Sequence, residues 1–119
     1  MRDARSDSAD SRQAGAVFER VGISAPAAGE LVAATLADGS RVCVGNADGQ
    51  LFGVQDACTH AAFPLSEGTL LSGGVLQCNW HGARFDCRSG IALQEPAFDP
   101  LERYDVRAAG GAIWIRKAS

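Results

Sequence analysis

"ELVAATLADGSRVCVGNADGQLFGVQD", Glu30 to Asp56, sets apolar against polar side chains around two Asp-Gly pairs. Its period is close to two rather than 3.6, the signature of strands with one buried face. Asp38-Gly39 and Asp48-Gly49 supply the backbone freedom that tight hairpin turns need. The stretch therefore predicts three consecutive antiparallel strands. Downstream, "GVLQCNW", "ARFDC" and "GIAL" are short strand candidates. "ERYDVRAAGGAIWIRK" predicts a final hairpin turning at Gly110-Gly111, with Tyr104, Val106, Ile113 and Ile115 as its alternating apolar positions. No stretch carries a convincing helical period. With 14 glycines in 119 residues, the pattern predicts an all-β antiparallel sandwich or barrel.

The bulk numbers narrow the class. A chain of 119 residues with 46% hydrophobic side chains can build one core. Residues 1–15 are polar, of mixed charge and small, and are expected to be a disordered tail, leaving 16–119 as the domain. No apolar run approaches the roughly 18–20 residues of a membrane span. The N-terminus lacks the apolar core of a secretory signal, so a cytoplasmic location is expected. The net charge of −3 comes with no basic cluster that could neutralise phosphates, which argues against nucleic acid.

In a reducing compartment four cysteines favour metal ligation over disulfides. Both histidines of the chain lie beside a cysteine, as Cys58-x-His60 and Cys78-x-x-His81, with seventeen residues between His60 and Cys78. A lone buried cysteine is usually an apolar filler, and a lone histidine usually a satisfied polar group. Two Cys–His pairs together reverse that expectation and predict a metal site at Cys58, His60, Cys78 and His81. A tetrahedral zinc site would normally group like ligands, cysteines in one element and histidines in another. Here each loop offers one of each. That suits a two-iron cluster, with Cys58 and Cys78 on one iron and His60 and His81 on the other.

Cys58-Thr59-His60, then Pro64-Leu65-Ser66-Glu67-Gly68, then Cys78-Asn79-Trp80-His81-Gly82 with Ala83-Arg84-Phe85-Asp86, resembles the Rieske-type ferredoxins. The nearest likeness is to the small ferredoxins that feed electrons to bacterial aromatic-ring-hydroxylating dioxygenases. The resemblance implies one Rieske [2Fe–2S] cluster, held in a small subdomain of about residues 56–90 inserted in a base β domain. Respiratory and photosynthetic Rieske proteins carry a further cysteine in each loop, joined as a disulfide. The corresponding positions here are Phe63 and Trp80, so packing by Phe63, Pro64, Leu65 and Trp80 is expected to clamp the loops instead. The missing bridge implies a potential at the low end of the range, roughly −150 to +300 mV, known for Rieske centres. The two imidazole ligands imply that this potential falls at alkaline pH. Asn79 stands where a proline is common. Cys43 and Cys87 lie outside the loops and are expected to be inert thiols.

Function follows by subtraction. A Rieske oxygenase also needs a mononuclear iron held by two histidines and a carboxylate, and this sequence has no third histidine. No Gly-x-Gly-x-x-Gly follows a strand, so no nucleotide site of a reductase is expected. What remains is not an enzyme and has no catalytic residue. A one-electron carrier between two proteins is expected, and the resemblance implies a monomer that docks transiently with a ferredoxin reductase and a terminal oxygenase. The expected docking surface is the cluster tip, with His60, His81, Phe63, Pro64 and Trp80. Trp80 serves equally well as core. Asp56, Glu67, Arg84, Asp86 and Arg88 are expected to tune orientation. Two alternatives stand beside this reading: a Rieske-like small subunit of a nitrite reductase or other oxidoreductase, and a structural zinc module for protein or RNA recognition. A Cys–His pair for acyl transfer is disfavoured, because two such pairs have no role in that chemistry.

Overall fold

The computed structural model describes residues 17–59, 63–79, 82–94 and 99–118. The expected N-terminal tail, residues 1–15, lies outside the described residues, as do His60, Trp80 and His81.

The opening stretch forms three strands: β2 (Leu31–Thr35), β3 (Arg41–Ala47) and β4 (Gln50–Gln55). The β3–β4 turn places Asp48 and Gly49 at φ 53° and 92°, both left-handed, as a two-residue type I′ hairpin requires. Ala47 and Gln50 face each other across it. The last hairpin joins β9 (Arg103–Ala109) to β10 (Ala112–Lys117), and a short β1 (Glu19–Val21), which the sequence did not announce, pairs with β10. These six strands make one antiparallel sheet in the order β1-β10-β9-β4-β3-β2.

A second sheet is built from β5 (Thr69–Leu71), β6 (Val75–Gln77), β7 (Arg84–Asp86) and β8 (Ala92–Gln94), in that order. The "GIAL" strand thus begins later than expected. Ile91 and Leu93 are exposed, at 56% and 54%, because the chain there forms an outer edge. β5 is an addition to the expected set. The whole second sheet leaves from the end of β4 and returns at the start of β9, which are neighbours. The Gln55 N–H donates to the Glu102 carbonyl at 2.9 Å, and the Glu102 N–H donates to Gln55 Oε1 at 2.8 Å.

Strand β3 explains where alternation fails. Val42, Cys43 and Val44 are all 0% exposed. Val42 and Val44 pack with Val21, Ala34, Ile113 and Ile115 in one core. Cys43 faces a second core with Val54, Leu65, Leu76 and Phe85. A strand that divides two cores has no solvent face, so its run is continuously apolar. The second core also contains Cys58 and Cys78.

Candidate metal centre

Two loops rise from the second core, and both close in the same way. The Cys58 N–H donates to the Phe63 carbonyl at 2.9 Å, and the Cys78 N–H donates to the Ala83 carbonyl at 2.8 Å. Each bond spans five residues, so each cysteine stands at the neck of a loop of equal length. The two histidines fall inside these loops in the sequence, but their positions lie outside the described residues. The two thiols are buried, at 2% and 0% exposure, and neither forms a disulfide. Among the described residues no group of three metal-ligating side chains gathers elsewhere.

Beyond its neck the first loop runs into Pro64 and a single 3₁₀ turn, Leu65–Glu67. Leu65 is fully buried beside the cysteines, and Phe63 packs half-buried against the same core. Packing is only part of the support. Asp56, expected on the docking surface, is instead buried, its side chain 0% exposed. Its carboxylate accepts from the Ser66 N–H at 2.6 Å and the Ser66 hydroxyl at 2.8 Å. Arg41 approaches the same carboxylate at 3.5 Å from a largely exposed position. A buried carboxylate needs such donors to offset lost hydration, and here they fasten the turn to the residue two before Cys58. Asp86 is similarly local, accepting from the Arg88 N–H and the Ser89 hydroxyl. Arg84 donates to Gln77 across β6 and β7, and Arg88 donates to Gln50. Thr59 ties the first loop outward, its hydroxyl donating to the Asp99 carbonyl at 3.0 Å.

Asn79 follows Cys78 in the second loop. Its amide Nδ2 donates to the Glu67 carbonyl at 3.2 Å, and its Oδ1 accepts from the Thr69 hydroxyl at 3.0 Å. A proline there could make neither bond. Gly68, between those partners, is set by close approach: a Cβ would meet the Gln77 carbonyl oxygen and lie 3.1 Å from that of Leu65. Because Gln77 precedes Cys78, Gly68→Ala is expected to displace the neck of the second loop. Iron content of the purified variant, measured against the parent, should fall; an unchanged content and melting temperature would contradict this.

Cys43 and Cys87 are buried, at 0% and 1% exposure. Burial pushes the Cys43 thiol well up, with the Asp56 carboxylate and Cys87 adding to the effect. Burial likewise raises Cys87, opposed by the Arg88 guanidinium. The thiolate is the reactive form. The metal-loaded protein at pH 8 is therefore expected to show no rapidly reacting thiol with a disulfide reagent, and four after unfolding and metal removal. A fast-reacting thiol in the folded, loaded state would overturn this.

Residues 22–105 match the model of the Rieske [2Fe-2S] domain. The chain belongs to the Rieske [2Fe–2S] family. The Rieske domain here is 40% identical over 78 residues to the biphenyl dioxygenase ferredoxin subunit of Pseudomonas sp. strain KKS102, covering 66% of this chain and 72% of that one. Its fold resembles the ferredoxin of Sphingomonas yanoikuyae B1, with TM-score 0.76, 28% identity, and coverage of 86% and 100%. It is equally similar, at TM-score 0.76 and 26% identity, to a chain in the complex of reduced oxygenase and oxidised ferredoxin in carbazole 1,9a-dioxygenase, with coverage of 86% and 96%. This Rieske domain therefore carries a Rieske-type [2Fe–2S] cluster and serves as an electron carrier. The donor chemistry fits that group, since two buried thiols at matched loop necks can bind iron as thiolates away from competing water. No helix is long and apolar enough to cross a membrane among the described residues.

Proposed function

We propose that this Rieske domain passes single electrons from a ferredoxin reductase to the terminal oxygenase of an aromatic-ring-hydroxylating dioxygenase, with Cys58 and Cys78 on one iron and His60 and His81 on the other. The observation that carries the assignment is the matched closure of two loops on Cys58 and Cys78, in a chain whose only two histidines fall within those loops. The dioxygenase partner is supported by the relatives, which are named as ferredoxin components of such systems. The bound cluster supplies a site that takes up and releases one electron.

The chain's own residues hold that site. Asp56 and Ser66 fix the turn behind the first loop, Thr59 holds its outer side, and Leu65 seals the core beneath both cysteines. In this reading the loops form a small cluster-binding part, about residues 56–90, within a domain of residues 16–119 that follows a short tail. His60, His81, Phe63, Pro64 and Trp80 make the docking tip, with exposed Glu67 beside it, and the protein works as a cytoplasmic monomer. Docking is brief, because a carrier must leave each partner, and small interfaces serve that need.

Reconstitution tests the proposal. The protein is combined with a ferredoxin reductase, a nicotinamide donor and a panel of aromatic-ring oxygenases. Substrate-dependent turnover that requires this protein is expected with at least one of them. Stable co-elution with a single partner through gel filtration, with no support of any oxygenase, would instead identify a permanent subunit.

A further inference from the structure

A continuous polar connection runs from one cysteine loop to the other without passing through either thiol. Asp56, two residues before Cys58, accepts two hydrogen bonds from Ser66. Ser66 sits in the 3₁₀ turn beside Glu67, whose carbonyl accepts from Asn79 Nδ2. Asn79, which also accepts from Thr69, adjoins Cys78. The two loops have no covalent link available at positions 63 and 80, since Phe63 and Trp80 carry no sulfur.

We propose that Asn79 is a positioning residue for the cluster: its side-chain amide fixes the second cysteine loop to the turn that supports the first, and so holds the two cysteines at a constant separation. The inference rests on the assignment of Cys58 and Cys78 as ligands. Three features support it. The amide uses both its donor and its acceptor, on two partners that flank Gly68, so it resists rotation as well as separation. Glu67 lies in the 3₁₀ turn leading out of the first loop, and Thr69 opens β5 opposite Gln77 of β6, so the side-chain bonds extend the β5–β6 pairing past Cys78 to that turn. The far end of the connection is buried at Asp56, so the exposed bonds of Asn79 are anchored to a rigid point. Loops that drift apart expose the metal to chelators and broaden the range of ligand geometries, while the two sheets stay folded.

The test compares Asn79→Ala, Thr69→Val and the double variant with the parent, all as loaded protein. Three quantities are measured: the rate at which a strong iron chelator bleaches the visible absorption, the width of the reduced-state electron paramagnetic resonance lines, and the thermal midpoint. Asn79→Ala should bleach about three- to tenfold faster, the range expected for one or two exposed hydrogen bonds, with broader lines and a nearly unchanged midpoint. Thr69→Val should show a smaller increase. The double variant should bleach no faster than Asn79→Ala, because both substitutions cut the same tie. Parent-like bleaching and line width in Asn79→Ala would overturn the proposal, as would strictly multiplicative effects in the double variant. If Asn79→Ala fails to load, the Thr69→Val bleaching rate decides alone. Failure of the ligand assignment reads out differently, as full iron loading of Cys58→Ser or Cys78→Ser.

Discussion

Cys58→Ser and Cys78→Ser are each expected to give a protein that purifies colourless, with almost no iron or acid-labile sulfide. A serine hydroxyl is a poor replacement for a thiolate on ferric iron, because it is a far weaker acid than a thiol and stays protonated. Both positions are buried, at 2% and 0% exposure, so water cannot enter to complete the coordination. Each cysteine also starts a loop closed by its own N–H, a backbone bond that serine can keep, so the loops should survive and the loss will report on the sulfur alone. Cys43→Ser and Cys87→Ser are the internal comparison. Those thiols are equally buried but belong to strand β3 and to the turn after β7. Iron and sulfide analysis of the four variants checks the result. Loss in the first pair and retention in the second is expected. Full loading of either variant of the first pair would remove that residue from the ligand set.

Phe85→Ala should cost more stability than any substitution at the protein surface. Among the described residues Phe85 is the largest fully buried side chain; it lies opposite Leu76 across β6 and β7 and packs in the core that contains both loop cysteines. Removing a buried phenyl group costs about 3–5 kcal/mol in lost transfer energy and residual cavity. For a domain near 100 residues each kcal/mol shifts the melting temperature by about 4–8 °C, so a fall of at least about 12 °C is expected. Cluster loss makes unfolding irreversible in practice, so the useful observable is the half-life of the visible absorption at fixed temperature, alongside the melting curve. A shift below about 2 °C would mean that the second sheet does not depend on this core.

The parts of the fold that were legible in the sequence were local. The hairpins at Asp48-Gly49 and Gly110-Gly111 combine period-two alternation with glycines that adopt positive φ, so pattern and turn chemistry agree. Strand β5 escaped notice because Thr69–Leu71 is three residues long, with two adjacent apolar side chains and no alternation. Val42-Cys43-Val44 hid the presence of two cores, since a run buried on both faces looks the same whichever cores it divides. At the site, the thiols were legible because each has a histidine within three residues. The supports were not. Asp56 reads as an ordinary surface carboxylate until Ser66, ten residues on, turns out to donate to it twice. Thr59 finds its acceptor forty residues away. Asn79 was recognisable as a departure from proline, but its role depends on Glu67 and Thr69, which only the fold brings beside it. Long-range hydrogen bonds between single side chains leave no periodic trace.

One two-iron, two-sulfide cluster that carries one electron accounts for the family, the buried thiols and the proposed role of this chain. Reductive titration of the purified protein under anaerobic conditions, combined with metal and sulfide analysis, tests it most directly. A red-brown protein with about two irons and two acid-labile sulfides per chain is expected, bleached reversibly by about one electron. A colourless protein with bound zinc and no labile sulfide would contradict it.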